Sequence, residues 1–187
     1  MTAAERAALL AIARAAVRAA SAGDPAPPLP AELPGRLAAP AGAFVTLNAG
    51  SELRGCIGSV GPEGSLASLV ARMAAASASK DPRFPPIRSE ELPALSIEVS
   101  ILSPAQRATP EEIEPGRHGV SLRLQRRRAV FLPQVATRHG WDRGRLLAEL
   151  CRKAGLPASA WEDPATVLRV FTVSTIEGAM EPSAGED

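Results

Sequence analysis

Proline placement decides where this chain can be regular. Six prolines fall between Ala22 and Pro40, at positions 25, 27, 28, 30, 34 and 40, and three more crowd the run Asp81-Pro82-Arg83-Phe84-Pro85-Pro86. Each proline removes a backbone donor and restricts the residue before it, so neither a helix interior nor a central strand can cross these segments. Residues 22–41 therefore read as an extended connector, and Asp81 to Pro86 as a firm stop to whatever precedes it.

The remaining stretches are short and well marked. Residues 3–21 are amphipathic, with Leu9, Ile12, Ala13, Ala16 and Val17 on one face and Arg6, Arg14 and Arg18 away from it. Gly42 to Asn48 and Glu52 to Val60 read as strands around a turn at Asn48-Ala49-Gly50. Ser65 caps a helix that reaches Lys80. Leu95 to Leu102 alternates, with Ile97, Val99 and Ile101 on one face and Glu98 and Ser100 on the other, as in a half-buried strand. Thr109-Pro110-Glu111-Glu112 opens a short helical turn. Val120 to Leu132 reads as a hairpin turning at Gln125 to Arg127. Asp142 caps a helix that stops at Gly155, with His139 at its entrance, and Val167 to Ile176 forms a last strand. This order predicts an α+β fold, a mainly antiparallel sheet with flanking helices.

Composition limits the chemistry. Leu, Ile, Val and Phe supply 42 of 187 residues, enough for a modest core. Two Cys and two His would all be consumed by one four-ligand zinc site, and a set of Cys56, His118 and Asp81 matches no ligand spacing, so no metal is expected, nor is any cofactor. Aromatic residues make up 3% of the chain and the net charge is +1, which argues against nucleic acid. Nineteen arginines against two lysines are what a GC-rich genome writes by default. Glu5, Arg6, Arg14 and Arg18 interrupt the first twenty residues, unlike a secretory signal, and no apolar run approaches the ~18 residues of a membrane span. The expected compartment is the cytoplasm.

The most suggestive string is Leu53-Arg54-Gly55-Cys56-Ile57-Gly58. In an extended backbone Arg54 and Cys56 share one side, about 6.5 Å apart, and Gly55 and Gly58 let a ligand or another segment come close. An arginine beside a thiol favours the nucleophilic thiolate, although a free cysteine also packs as a small hydrophobe. The Asp81–Pro86 loop fixes Asp81 and Arg83 two residues apart, either to meet an anion or simply to end a helix. His118, between Gly116-Arg117 and Gly119, carries an imidazole, the ordinary side chain suited to proton transfer near neutral pH, and is either a base or a structural donor. Cys151 shares an apolar helix face with Leu147 and Ala154 and reads as core. Arg126-Arg127-Arg128, near Arg123, reads as a solvated hairpin tip.

These pieces, in this order, resemble the AMMECR family, known in bacteria as AmmeMemoRadiSam system protein A. The carrying segments are residues 42–47, 53–58, 81–86, 95–100, 116–119, 132–136, 140–142 and 151–157, and the likeness spans about residues 5–178. Arg126 to Arg128 departs from it, standing where a more glycine-containing turn would be expected. The resemblance implies one bacterial, two-lobed domain over residues 1–180, with a flexible tail at 181–187. It implies a larger and a smaller lobe, a cleft near Leu53 to Gly58, and association with a radical-SAM protein and a Memo-like protein. It raises the expectation that Arg54, Cys56, Asp81, Arg83 and His118 form one site, with Cys56 and His118 catalytic. Arg54, Gly55, Gly58, Asp81 and Arg83 would then bind a small anionic substrate. It implies no particular reaction. The competing reading is a non-catalytic partner protein whose specific loops form an interface.

Overall fold

The computed structural model describes residues 1–61 and 63–181. Among them are strands β1 (Ala43–Ala49), β2 (Glu52–Ser59), β3 (Leu95–Leu102), β4 (Gln106–Arg107), β5 (Gly119–Leu124), β6 (Arg127–Phe131), β7 (Val167–Phe171) and β8 (Val173–Ala179). The helices are α1 (Ala3–Ala22), α2 (Leu66–Ser79), α3 (Pro133–His139) and α4 (Arg143–Lys153). Two four-stranded sheets result, ordered β2-β1-β3-β8 and β4-β7-β5-β6. The pairs β1–β2, β1–β3, β4–β7, β5–β6 and β5–β7 all run antiparallel. The α+β class is as expected. Two units divide the chain, residues 1–101 with 174–187 and residues 102–173. Of the expected tail at 181–187, all but Glu181 lies outside the described residues.

In the first unit, Thr2 and Glu5 close a capping box on α1, the Glu5 carboxylate accepting from the Thr2 N–H at 2.7 Å. Helix α1 then buries Leu9, Ala13, Ala16 and Val17, positions that recur at helical spacing. Their small size lets α2 come close. Helix α2 packs between α1 and the β1–β2 pair, and Val45, Leu47, Ile97 and Val99 from the sheet complete one apolar cluster with both helices. Between α1 and β1 the one regular turn is a 3-10 turn at Gly35–Leu37, which drives Leu37 fully into that cluster.

The second unit has its own core, in which Val120, Leu122 and Leu168 from the sheet meet Leu146, Leu147, Leu150 and Cys151 of α4. Asp142 caps α4 by accepting from the Arg145 N–H, and Gly155 follows it at φ 71°. Cys151 is buried as expected, and that burial pushes its thiol up.

Four local expectations are corrected. Val167 to Ile176 is two strands in different sheets, because the Thr172 backbone exchanges hydrogen bonds with Ser103, N–H to Oγ and C=O from N–H, instead of continuing a ladder. Helix α3 was not foreseen. It starts on Pro133 and ends at Gly140 in the left-handed region, so His139 lies at its end, stacked on Trp141, and not at the entrance of α4. The hairpin turn is only Gln125–Arg126, with Gln125 at φ 53°, and Arg127 and Arg128 belong to β6. Ser100 keeps the Glu98 face but is buried there, where a half-buried strand would leave it exposed, and its hydroxyl donates to Glu98 at 3.0 Å.

Candidate functional site

Strand β2 is an edge strand, so one row of its backbone groups has no strand partner. At Cys56 that vacancy is filled by side chains. The Cys56 N–H donates to Asp81 Oδ2 at 2.8 Å, and Arg83 Nη2 donates to the Cys56 carbonyl at 3.2 Å. Asp81 and Arg83 thus stand in for one residue of a missing neighbour strand. Their own pairing is dense: Oδ1 accepts from the Arg83 backbone N–H at 3.1 Å and from Nε at 2.9 Å, and Oδ2 accepts from Nη2 at 2.6 Å. The prolines on either side of Arg83 keep the loop in the conformation this needs.

The pair is asymmetric in burial. The Asp81 side chain is 3% exposed and that of Arg83 is 53% exposed. The Arg83 guanidinium holds the Asp81 carboxyl well below the usual carboxylate range, and the Cys56 and Arg83 backbone N–H groups add to this. Arg83 is in turn held above its ordinary value, chiefly by Asp81, with a smaller contribution from the Cys56 side chain. Its Nη1 has no protein partner among the described residues, and its guanidinium carbon sits 5.4 Å from the Phe84 ring centroid.

Arg54 is placed differently. A register shift opposite Leu47 and Asn48 leaves it without a cross-strand partner, and this bulge turns its side chain to the 81–86 loop. There it donates bidentately to Glu91, from Nε at 2.9 Å and Nη2 at 3.1 Å, and also to the Pro85 and Pro86 carbonyls. Only 15% exposed, it clamps the loop from below. The pairing draws the Glu91 carboxyl below its ordinary value.

Gly55 and Gly58 admit protein segments. A Cβ on Gly55 would strike the Ser77 carbonyl in the last turn of α2, and one on Gly58 would strike the Phe44 ring. Ser77 itself is 2% exposed; its hydroxyl accepts from the Ile57 N–H at 2.9 Å and donates to the Val45 carbonyl at 2.8 Å, tying α2 into the β1–β2 ladder. Ser77→Ala leaves both groups under-satisfied and costs about 1–3 kcal/mol. Amide exchange at Ile57 reads this directly: its protection falls, and unchanged protection would mean that the two strands close the gap themselves.

On the strand face away from the helices, Cys56 of β2, Thr46 of β1 and Glu98 of β3 stand in one cross-strand row. Cys56 is half-buried, and the Thr46 hydroxyl donates to its Sγ at 3.4 Å. The structure therefore brings Arg54, Gly55, Cys56, Asp81 and Arg83 together around one turn of loop and one strand. His118 belongs to the second unit, where its Nδ1 accepts from the Glu114 N–H at 3.2 Å. Thr46, Ser77, Glu91 and Glu98 were not anticipated. Glu98 was visible only as the polar phase of an alternating strand.

Among the described residues no group of three His, Cys, Asp or Glu could hold a metal ion, and no helix is long and apolar enough to cross a membrane. An apolar pocket of about 310 Å³ lies between α1 and residues Pro27–Pro34, but its lining offers no polar side chain to orient a reactant.

A profile of the AMMECR1 family matches residues 10–176. A Thermococcus gammatolerans protein is 39% identical over 159 residues, covering 79% of this chain and 78% of its own, and protein MK0488 of Methanopyrus kandleri is 40% identical over 152 residues, covering 76% and 73%. Among solved structures, that of the uncharacterized protein PH0010 from Pyrococcus horikoshii superposes with a TM-score of 0.79 at 37% identity, covering 93% of this chain and 92% of the other. These relatives are archaeal, which overturns the expectation of a bacterial protein.

Proposed function

The chain belongs to the AMMECR1 family, and from that premise we propose that it binds a small anionic substrate at the Cys56–Arg83 edge of β2, where the thiol is placed to react with it. The observation that carries this reading is the exposed Arg83 guanidinium, anchored by a buried carboxylate at the backbone of the only half-exposed cysteine. Arg83 receives the anion through Nη1, which presents donors suited to a carboxylate or phosphate. The Thr46 hydroxyl donates to Cys56 Sγ, and Arg83 reaches the carbonyl of the same residue, so a donor and a cation both stand at Cys56. Arg54, Gly55 and Gly58 serve the site by holding its loop and strand.

Partnership with a radical-SAM protein and a Memo-like protein goes with this proposal, as family membership suggests, and a reduced thiol suits the cytoplasm. One observation favours the non-catalytic alternative: Arg54 spends two hydrogen bonds on the Pro85 and Pro86 carbonyls and two on Glu91, fixing the 81–86 loop as a docking loop would require.

Alkylation separates the two. Iodoacetate and iodoacetamide form the same Sγ–carbon bond and release iodide, but only the first carries a carboxylate for Arg83 to hold. The proposal expects Cys56 to react faster with iodoacetate by about tenfold, one ordinary charge-assisted contact. The preference vanishes in Arg83→Met, while buried Cys151 stays unlabelled in the folded protein. Equal rates in wild type, or a preference that survives Arg83→Met, would leave Cys56 as packing and the loop as an interface.

A further inference from the structure

The net charge of +1 conceals a division. Residues 102–173 hold 12 Lys and Arg against 7 Asp and Glu, a net of +5, whereas the rest of the chain holds 9 against 13, a net of −4. Strand register concentrates part of the excess. Val120, Leu122, Leu168 and Val170 pack into or against the core of the second unit, so their alternate neighbours lie on the opposite face of the sheet. On that face Arg123 of β5 pairs with Arg128 of β6, and Arg107 of β4 pairs with Arg169 of β7. Ser121 stands opposite Arg169 and Val167 opposite Arg123, which joins the two pairs into one band.

Each of the four strands thus brings one exposed arginine to the same face, over about 14 Å at ordinary strand spacing. None of the four has an ion pair among the described residues. Arg126 adds a charge in the hairpin turn, whereas Arg127 pairs with Leu124 in the core-facing phase and lies beside Gly155. Like charges directly opposite each other destabilise a sheet, and here that happens twice. Genome composition explains how many arginines the chain has. It does not explain why two cross-strand pairs on this one face are Arg–Arg.

We propose that this sheet face docks a short acidic segment of a partner protein, its carboxylates received by Arg107, Arg123, Arg128 and Arg169. An extended segment of four or five residues spans the band, and guanidinium groups take carboxylates bidentately. A protein segment fits better than nucleic acid because no aromatic platform for bases accompanies the arginines.

The test is fluorescence anisotropy with a labelled octaglutamate peptide against the whole chain, beside a labelled DNA duplex of twenty base pairs. The peptide should bind at low salt, more tightly than the duplex, and lose most of its affinity by about 0.5 M salt. Arg123→Ser with Arg169→Ser should weaken peptide binding about tenfold or more, without lowering the melting temperature, since the change removes repulsion. Arg138→Ser, an exposed arginine on α3, should change binding less than about twofold. Absence of peptide binding at low salt, an equal loss in Arg138→Ser, or tighter binding of the duplex each overturns the proposal, the last by assigning the face to nucleic acid.

Discussion

Asp81→Asn is expected to lower the melting temperature at neutral pH by roughly 6–12 °C, the shift that about 3 kcal/mol produces in a chain of this length. The size follows from what the carboxylate holds. Its two oxygens accept from Cys56 N–H, Arg83 N–H, Arg83 Nε and Arg83 Nη2, all at 3.1 Å or less, from a side chain 3% exposed. An asparagine keeps the shape but turns an NH2 group towards at least one of those donors and withdraws the charge facing the guanidinium. Hydrogen bonds to a charged group contribute about 1.5–3 kcal/mol each, and exposure of Arg83 to solvent keeps the total well below their sum. The pH dependence has a definite sign. The folded protein holds the Asp81 carboxyl below its ordinary value of about 4, so below that pH the unfolded chain takes up the proton first. The stabilisation is complete above about pH 4 and is lost as pH falls towards the lower value imposed by folding. Calorimetry of wild type and variant across pH 7 to 2 should therefore show two melting curves converging at the acid end. A gap that stays constant with pH would mean that the charge of Asp81 does no structural work.

What was legible in the sequence was local. Alternation located β3 to the residue, because one side of Leu95 to Leu102 meets the helices and a period of two has no other phase. Asp142 and Gly155 marked α4 because caps satisfy orphan backbone groups whatever the rest of the chain does. The proximity of Asp81 to Arg83 was also visible, as two residues on a proline-stiffened loop. Contacts that make the loop into a site were not. Arg54 meets Glu91 and Cys56 meets Asp81 across 37 and 25 residues, and no periodicity encodes such pairs. Ser77 reads as one more small residue in an alanine-rich helix until the sheet is laid against it. Helix α3, at seven residues, is too short for a 3.6-residue pattern to show. The break at Thr172 depends on Ser103, which lies 69 residues earlier.

Gly55→Ala should destabilise the protein about as strongly as Asp81→Asn, by about 3 kcal/mol, the upper end for forced overpacking. Its added methyl points at the Ser77 carbonyl, and neither side can yield easily. The carbonyl belongs to the final turn of α2, whose neighbour Lys80 N–H is bonded to the Ala76 carbonyl at 2.7 Å. The Ser77 hydroxyl already bridges Ile57 and Val45, so moving the helix outward breaks that bridge. Moving β2 instead draws Cys56 away from Asp81 Oδ2, because Cys56 is the next residue along the strand. Either way a packing change at the buried Gly55 reaches the proposed thiol site. The consequences differ from those of Asp81→Asn in one respect that calorimetry can read. No titrating group is altered, so the melting-temperature deficit of Gly55→Ala should persist from neutral pH to about pH 3, where that of Asp81→Asn shrinks. The iodoacetate preference at Cys56 should fall together with stability. If Gly55→Ala melts within about 2 °C of wild type, α2 can shift without cost, and the glycine would then owe its place to something approaching from outside the protein.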